Sequence, residues 1–428
     1  MRRGRIAFFT QLAASYGDVV PFRITGQQLV QLTHPDDIRD VLVTYQRQFI
    51  KGRALERAKQ LIGNGLLTSE GEYHLRQRRL VQPAFHRARV ATYATAMADA
   101  AAALRAQWQD GASIDVNAAM MRLTMVIVAR TLFGASMESE VAALSRALND
   151  AFEAFDFGLG PLTVITDRLP TSRRRRFLAA RSVLDTMIYG LIRARRADGR
   201  DHGDLLSMLL QAQDTEGDGT GMSDAQLRDE LLTLFIAGHE TTANAMTWTW
   251  LLLARNPDVA DSLHAEVDRV LGDRVPGADD LAALPYTRAV IAESMRLYPP
   301  AYVIGRRTVA PYTVGGRTFA AGTIFLCPQY VVHRDARWWP EPERFRPERW
   351  LESDAQRPKF AYFPFGAGTR ICIGEQFAWM EAILLLATIA RQWRMHVEGA
   401  DPALDPIITL RPRGGLRVRL ERRAHPAP

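Results

Sequence analysis

Cysteine is nearly absent from this sequence. Its 428 residues hold two, Cys327 and Cys372, too few for a disulfide framework, so a reducing compartment fits. A long apolar run is missing from the N-terminal segment MRRGRIAFFTQLAASYGD, whose broken hydrophobic stretch is too short to span a membrane and poor as a signal peptide. A cytoplasmic protein without a membrane anchor is expected. No low-complexity linker or internal repeat divides the chain, so residues 1–428 read as one large domain. Acidic residues are the minority, 47 against 54 Lys and Arg, which gives a net charge of +7. Arginine is nevertheless spread over the whole chain without the aromatic interleaving of a nucleic-acid face, and no nucleic-acid partner is expected. Flavin and nicotinamide motifs are also missing. The arginine run Arg173–Arg176 follows Thr171 and Ser172 at a helix start and reads as a solvated helix end.

What is present centres on the stretch from Phe363 to Ala382, FPFGAGTRICIGEQFAWMEA. Residues from Ile373 to Arg391 contain no proline and repeat apolar side chains at helical spacing, so the pattern predicts a buried helix with Cys372 at its N-terminus. Exposed N–H groups, the positive end of the helix dipole and Arg370 then favour an anionic sulfur, the form in which cysteine binds metals. Gly366, Gly368 and Gly374 keep side chains away from a flat macrocycle and allow positive φ.

The fixed positions Phe365, Gly368, Arg370, Cys372 and Gly374 resemble the haem loop of the cytochrome P450 family, Phe-x-x-Gly-x-Arg-x-Cys-x-Gly. The resemblance implies haem b (iron protoporphyrin IX), with Cys372 as proximal thiolate ligand, Arg370 at a propionate and Phe365 beside the sulfur, in a loop that also includes Gly366. It also implies the family's fold. That fold is mainly α with small β-sheets, a β-rich part at about 17–50 and 300–330, and a long helix crossing the haem.

Two further stretches extend the likeness. Ser223 and Gln226 form a capping-box pattern ahead of about thirty residues that run to Pro257. Within them Ala237, Gly238, Glu240, Thr241 and Thr242 match the family's Ala/Gly-Gly-x-Asp/Glu-Thr-Thr signature. By resemblance, Glu240 and Thr241 deliver protons on the oxygen-binding side, and Ala237 and Gly238 thin the helix to make room there. Upstream, GEYHLRQRRLVQPAFH predicts a basic helix from Gly71 to about Pro83 with His74 and Arg78 one turn apart on one face. Such a pair can grip carboxylates, and the resemblance assigns both to haem propionates.

Glu293 and Arg296 share a helix face, and the family pairs this motif with a downstream arginine for which Arg344, Arg346 and Arg349 are candidates. Arg306 stands where the family places another propionate-binding arginine; Arg307 competes, because neighbours on a strand point to opposite faces. Residues 155–170 read as a mobile flap or as plain core, and TLRPRGGLRVRL, 409–420, resembles the family's last hairpin.

The implied activity is insertion of one oxygen atom from O2 into a small apolar substrate. Thiolate ligation favours O–O cleavage, and two electrons come from a ferredoxin or flavodoxin-type donor with its reductase, acting on a monomer. Rival readings are a haem-thiolate peroxygenase or isomerase, and a haem-binding sensor or electron carrier.

Overall fold

A computed structural model describes residues 4–134, 143–144, 146–148, 150–151, 171–352 and 357–424. The flap expected at 155–170 lies outside the described residues.

The longest helix, Asp224–Arg255, forms the axis of the molecule. Its start is set by the predicted capping box: the Ser223 Oγ accepts from the Gln226 N–H, and the Gln226 Oε1 accepts from the Ser223 N–H at 2.8 Å. Pro257 follows its end. Most of its residues are buried all round, the pattern of a helix surrounded by protein. It packs along Val116–Phe133 and against Ser172–Asp198, Pro285–Leu297 and the helix Glu375–Ala390. Val116–Phe133 is apolar and long enough to cross a membrane, but two thirds of it (67%) is buried inside the protein.

The expected hairpin forms from Val19–Ile24 and Gln27–Leu32. It joins a five-stranded sheet with Ile324–Cys327, Ile304–Thr308 and Phe49–Lys51, so early and late chain segments share one sheet. The expected last hairpin does not form. Leu410–Pro412 pairs with Leu404–Pro406, whereas Arg417–Arg422 joins a separate sheet with Trp393–Val397 and Ser113–Asp115. Gly414 and Gly415, both at positive φ, carry the chain between them.

A short strap, Asn64–Glu70, ties the central helix to the cysteine loop. At one end the Asn64 and Leu66 N–H groups donate to Asp229 and Glu230, at 2.6 and 3.0 Å. At the other, Arg370 donates to the Ser69 carbonyl at 2.7 Å and pairs with Glu70.

Candidate haem and oxygen site

Gly366 and Gly368 shape the cysteine loop. Both have positive φ, 72° and 67°, and a side chain at Gly368 would run into the Leu42 carbonyl oxygen. The loop closes where the Cys372 N–H donates to the Phe365 carbonyl at 2.9 Å. The helix itself starts at Glu375, with Gly374 as cap. Cys372 therefore stands before the helix rather than in its first turn, because residues 373–374 make a turn first. Gly374, at φ −88°, needs no glycine for its backbone. Phe365 packs on Trp379, ring centroids 5.9 Å apart.

The predicted easy ionisation of Cys372 is not what the protein alone provides. Its residue surface is open to solvent, yet dense protein around the sulfur pushes the thiol up to about 11, and the Gly374 N–H and the Arg78 cation only partly oppose this. Burial outweighs the dipole here. A metal must displace the proton.

His74 and Arg78 sit on the helix Gly71–Val81 as expected. The His74 ring is buried, its Nδ1 is 3.3 Å from the Ser69 hydroxyl, and its Nε2 has no partner of ordinary geometry although the Thr369 carbonyl is near. Burial and the neighbouring Arg370 and Lys51 cations hold it neutral, down to about 3. Arg78 donates to the Ile371 carbonyl at 2.8 Å, beside the cysteine. The strand register separates the two competing arginines: Arg307 turns to Glu56, whereas the deeply set Arg306 makes its hydrogen bond to the neighbouring Gly305 carbonyl. Desolvation lowers the pKa of Arg306.

Lys51 was not legible in the sequence as part of this cluster. It pairs in register with Arg306, and its buried ammonium donates to the carbonyls of Leu66, at 3.0 Å, and Leu67. Four basic side chains, Lys51, His74, Arg306 and Arg370, thus share one buried neighbourhood whose acids are Glu70 and Glu230.

On the central helix Ala237 is exposed and Gly238 and Thr241 are half-buried, although the turns on either side are buried. Accessible surface in the middle of such a helix marks an internal space. A Cβ on Gly238 would approach a Val128 methyl to 3.0 Å. The Thr241 hydroxyl donates to the Ala237 carbonyl at 2.7 Å. Glu240 is buried and turned elsewhere, ion-paired with Arg411 at 2.7 Å and accepting from Thr409. Neither Thr409 nor Arg411 stood out in the sequence, because their partner lies some 170 residues away.

The residues fit a haem. An exposed cysteine just before one helix and an accessible stretch on a helix packed against it leave space for the ring, and the His74 Nε2 without a partner among the described residues and the half-buried Arg306 present donors for two carboxylates. The cytochrome P450 family profile matches residues 2–416.

The chain belongs to the cytochrome P450 family.

Among similar P450s, cyclooctat-9-en-7-ol 5-monooxygenase of Streptomyces melanosporofaciens is 40% identical over 92% of this chain and 86% of its own length. Pentalenene oxygenase of Streptomyces avermitilis is 35% identical, covering 99% and 94%. The crystal structure of the cytochrome P450DA haem domain superposes with a TM-score of 0.89 at 28% identity, over 99% of this chain and 94% of that one. The protein is thus a mainly helical, single-domain P450 monooxygenase. It uses haem, O2, an apolar organic substrate and a redox partner.

Proposed function

We propose that Cys372 is the axial ligand of the haem iron and that His74, Arg78, Arg306 and Arg370 hold its propionates. The observation that carries this reading is the buried His74 Nε2 without a partner among the described residues, set among the Arg78, Arg306 and Arg370 guanidinium groups near the exposed Cys372. Bound there, haem supplies oxygen activation with the electron push of a thiolate. Phe365 covers the sulfur, and Ala237 and Gly238 leave room on the opposite side.

Thr241 holds a hydroxyl at the open part of the central helix and moves protons inward from Glu240. Glu240 reaches that hydroxyl only when Arg411 releases it. The substrate is a cyclic, largely hydrocarbon skeleton bearing an alkene, as the names of the two Streptomyces relatives specify for those enzymes. Electrons arrive from a ferredoxin or flavodoxin-type donor, and the protein acts as a cytoplasmic monomer.

Replacing Cys372 by Ser tests the ligand: the reduced protein loses its red-shifted carbon monoxide band, and an unchanged band refutes the assignment. Cyclic alkenes and alkenols supplied with surrogate redox proteins and isotopically labelled O2 gain one labelled oxygen. A panel that yields no labelled product overturns the substrate class while leaving the ligand assignment untouched. In Thr241→Ala, more electrons are lost as free hydrogen peroxide; coupling equal to that of the unaltered protein removes Thr241 from proton delivery.

A further inference from the structure

Glu381 lies six residues into the helix that follows the cysteine loop, and no part of it reaches solvent (0% exposed). Among the described residues neither carboxyl oxygen has a hydrogen-bond partner of ordinary geometry. The Thr242 hydroxyl faces the carboxyl from the central helix, near enough to ease its anion slightly. Thr242 directly follows the threonine that lines the open space. A buried acid with no cation beside it among the described residues keeps its proton, since an unpaired carboxylate in such surroundings is strongly disfavoured.

Several charged groups on or beside the packed elements are engaged elsewhere. Arg105 donates to the Thr388 carbonyl at 2.6 Å, and Arg288 lies over the Trp379 ring at 4.0 Å. Arg296 and Arg349 close on Glu293, while Arg394 sits 3.3 Å from His264. Arg274 pairs with Asp280, and Arg391 donates to the Arg274 carbonyl at 2.8 Å. Arg89 lies over Tyr93. Burial, eased by Thr242, is what sets this acid, and it is pushed up to about 8.

We propose that Glu381 is an internal proton store for haem reduction: at neutral pH it holds its proton in both states of the iron, and in alkaline solution, where it has lost that proton, it takes one up as the electron arrives. The step balances. One electron from the redox partner reduces ferric to ferrous iron, and one proton from solvent converts the Glu381 carboxylate to the acid. Along the helix Glu381 is about 9 Å from Glu375, which follows Cys372 by three residues, at a rise of about 1.5 Å per residue. Two unit charges on the order of 10 Å apart at an effective dielectric near 20 shift each other's titration by about one pH unit. Holding the proton at neutral pH therefore keeps a buried anion out of the helix behind the cysteine loop as the electron arrives.

Potentiometric titration of the haem-loaded protein across pH 6 to about 9.5 tests this, with the Soret band confirming an intact site at each point; the break is placed by the titration position of Glu381. The midpoint is flat up to about pH 8, then falls through a window about one pH unit wide. Glu381→Gln keeps shape and neutrality and makes the midpoint flat throughout. A break that survives in Glu381→Gln, or none in the unaltered protein, overturns the proposal. Should that variant fail to load haem, reduced-minus-oxidised infrared spectra of the unaltered protein decide. At the alkaline end of the window a gain of protonated-carboxyl absorption supports proton uptake, and its absence refutes it. Neither result bears on the ligand assignment, which the carbon monoxide band reports separately.

Discussion

Arg411 closes on the carboxylate of Glu240, its Nε 2.8 Å and its Nη2 2.7 Å from the same Oε1. The acid that the sequence places next to Thr241 is thereby held by the C-terminal hairpin instead. Arg411 is partly open to water, with 28% of its side chain accessible, whereas only 4% of Glu240 is. The pair thus links the interior of the central helix to the surface.

Cutting that link should be felt as stability first. Arg411→Ala leaves a buried carboxylate with Thr409 as its remaining partner and is expected to cost about 1–3 kcal/mol, the low end reflecting the partial exposure of Arg411. Glu240→Gln in the same background should recover part of that loss. Chemical denaturation of the four proteins of the cycle measures the coupling, and strictly additive losses would show that the pair contributes nothing.

Glu293 anchors a denser network. Arg296 and Arg349 both reach its carboxylate, at 2.8 and 2.9 Å, and Trp350 donates at 2.9 Å, all with Glu293 fully buried. Glu293→Ala strands two buried guanidinium groups, an error expected to cost about 3–5 kcal/mol. Haem content per chain should drop with it, because Arg296 also donates to the His333 carbonyl, and the His333 ring accepts from the Phe363 N–H at the start of the cysteine stretch. Full loading with unchanged denaturation would contradict this.

Acid should unfold the protein in a defined direction. Burial holds His74 and His264 neutral down to about 3, and His333 well below its ordinary value. A folded-state pKa depressed below the unfolded one near 6.5 means that the unfolded chain binds protons which the native one refuses. Their stabilisation is complete above about pH 6.5 and is lost as pH falls toward 3. His264→Gln should reduce the slope of stability against pH in that window; a slope unchanged by the substitution would rule out His264 as a contributor.

Gly368→Ala addresses the loop. Positive φ and the Leu42 carbonyl leave no place for a methyl group. The expected outcome is a folded chain that binds less haem, read as absorbance at the Soret band relative to protein.

Much of this was legible because local rules and motif spacing agree. Ser223 and Gln226 announce the start of the central helix, and the structure closes the capping box there. His74 and Arg78, four apart on a helix, both lie beside the cysteine loop, His74 near Thr369 and Arg370 and Arg78 on the Ile371 carbonyl. The choice among Arg344, Arg346 and Arg349 needed coordinates: Arg349 alone among them brings its guanidinium to Glu293, while Arg346 donates its backbone N–H to Glu293 and the Arg344 carbonyl accepts from Arg296. Arg306 and Arg307 likewise differ only by strand register. Lys51 and Arg411 escaped notice for a different reason, since a lone basic residue acquires meaning from partners distant in the chain. The ionisation of Cys372 was misjudged because a sequence displays the helix dipole but not the desolvation opposing it.

The strap Asn64–Glu70 is gripped by Asp229 and Glu230 at one end and by Arg370 at the other. Seven residues cannot stretch far, so the strap bounds how far the first turns of the central helix and the cysteine loop can move apart, and displacing either end loads the hydrogen bonds at the other.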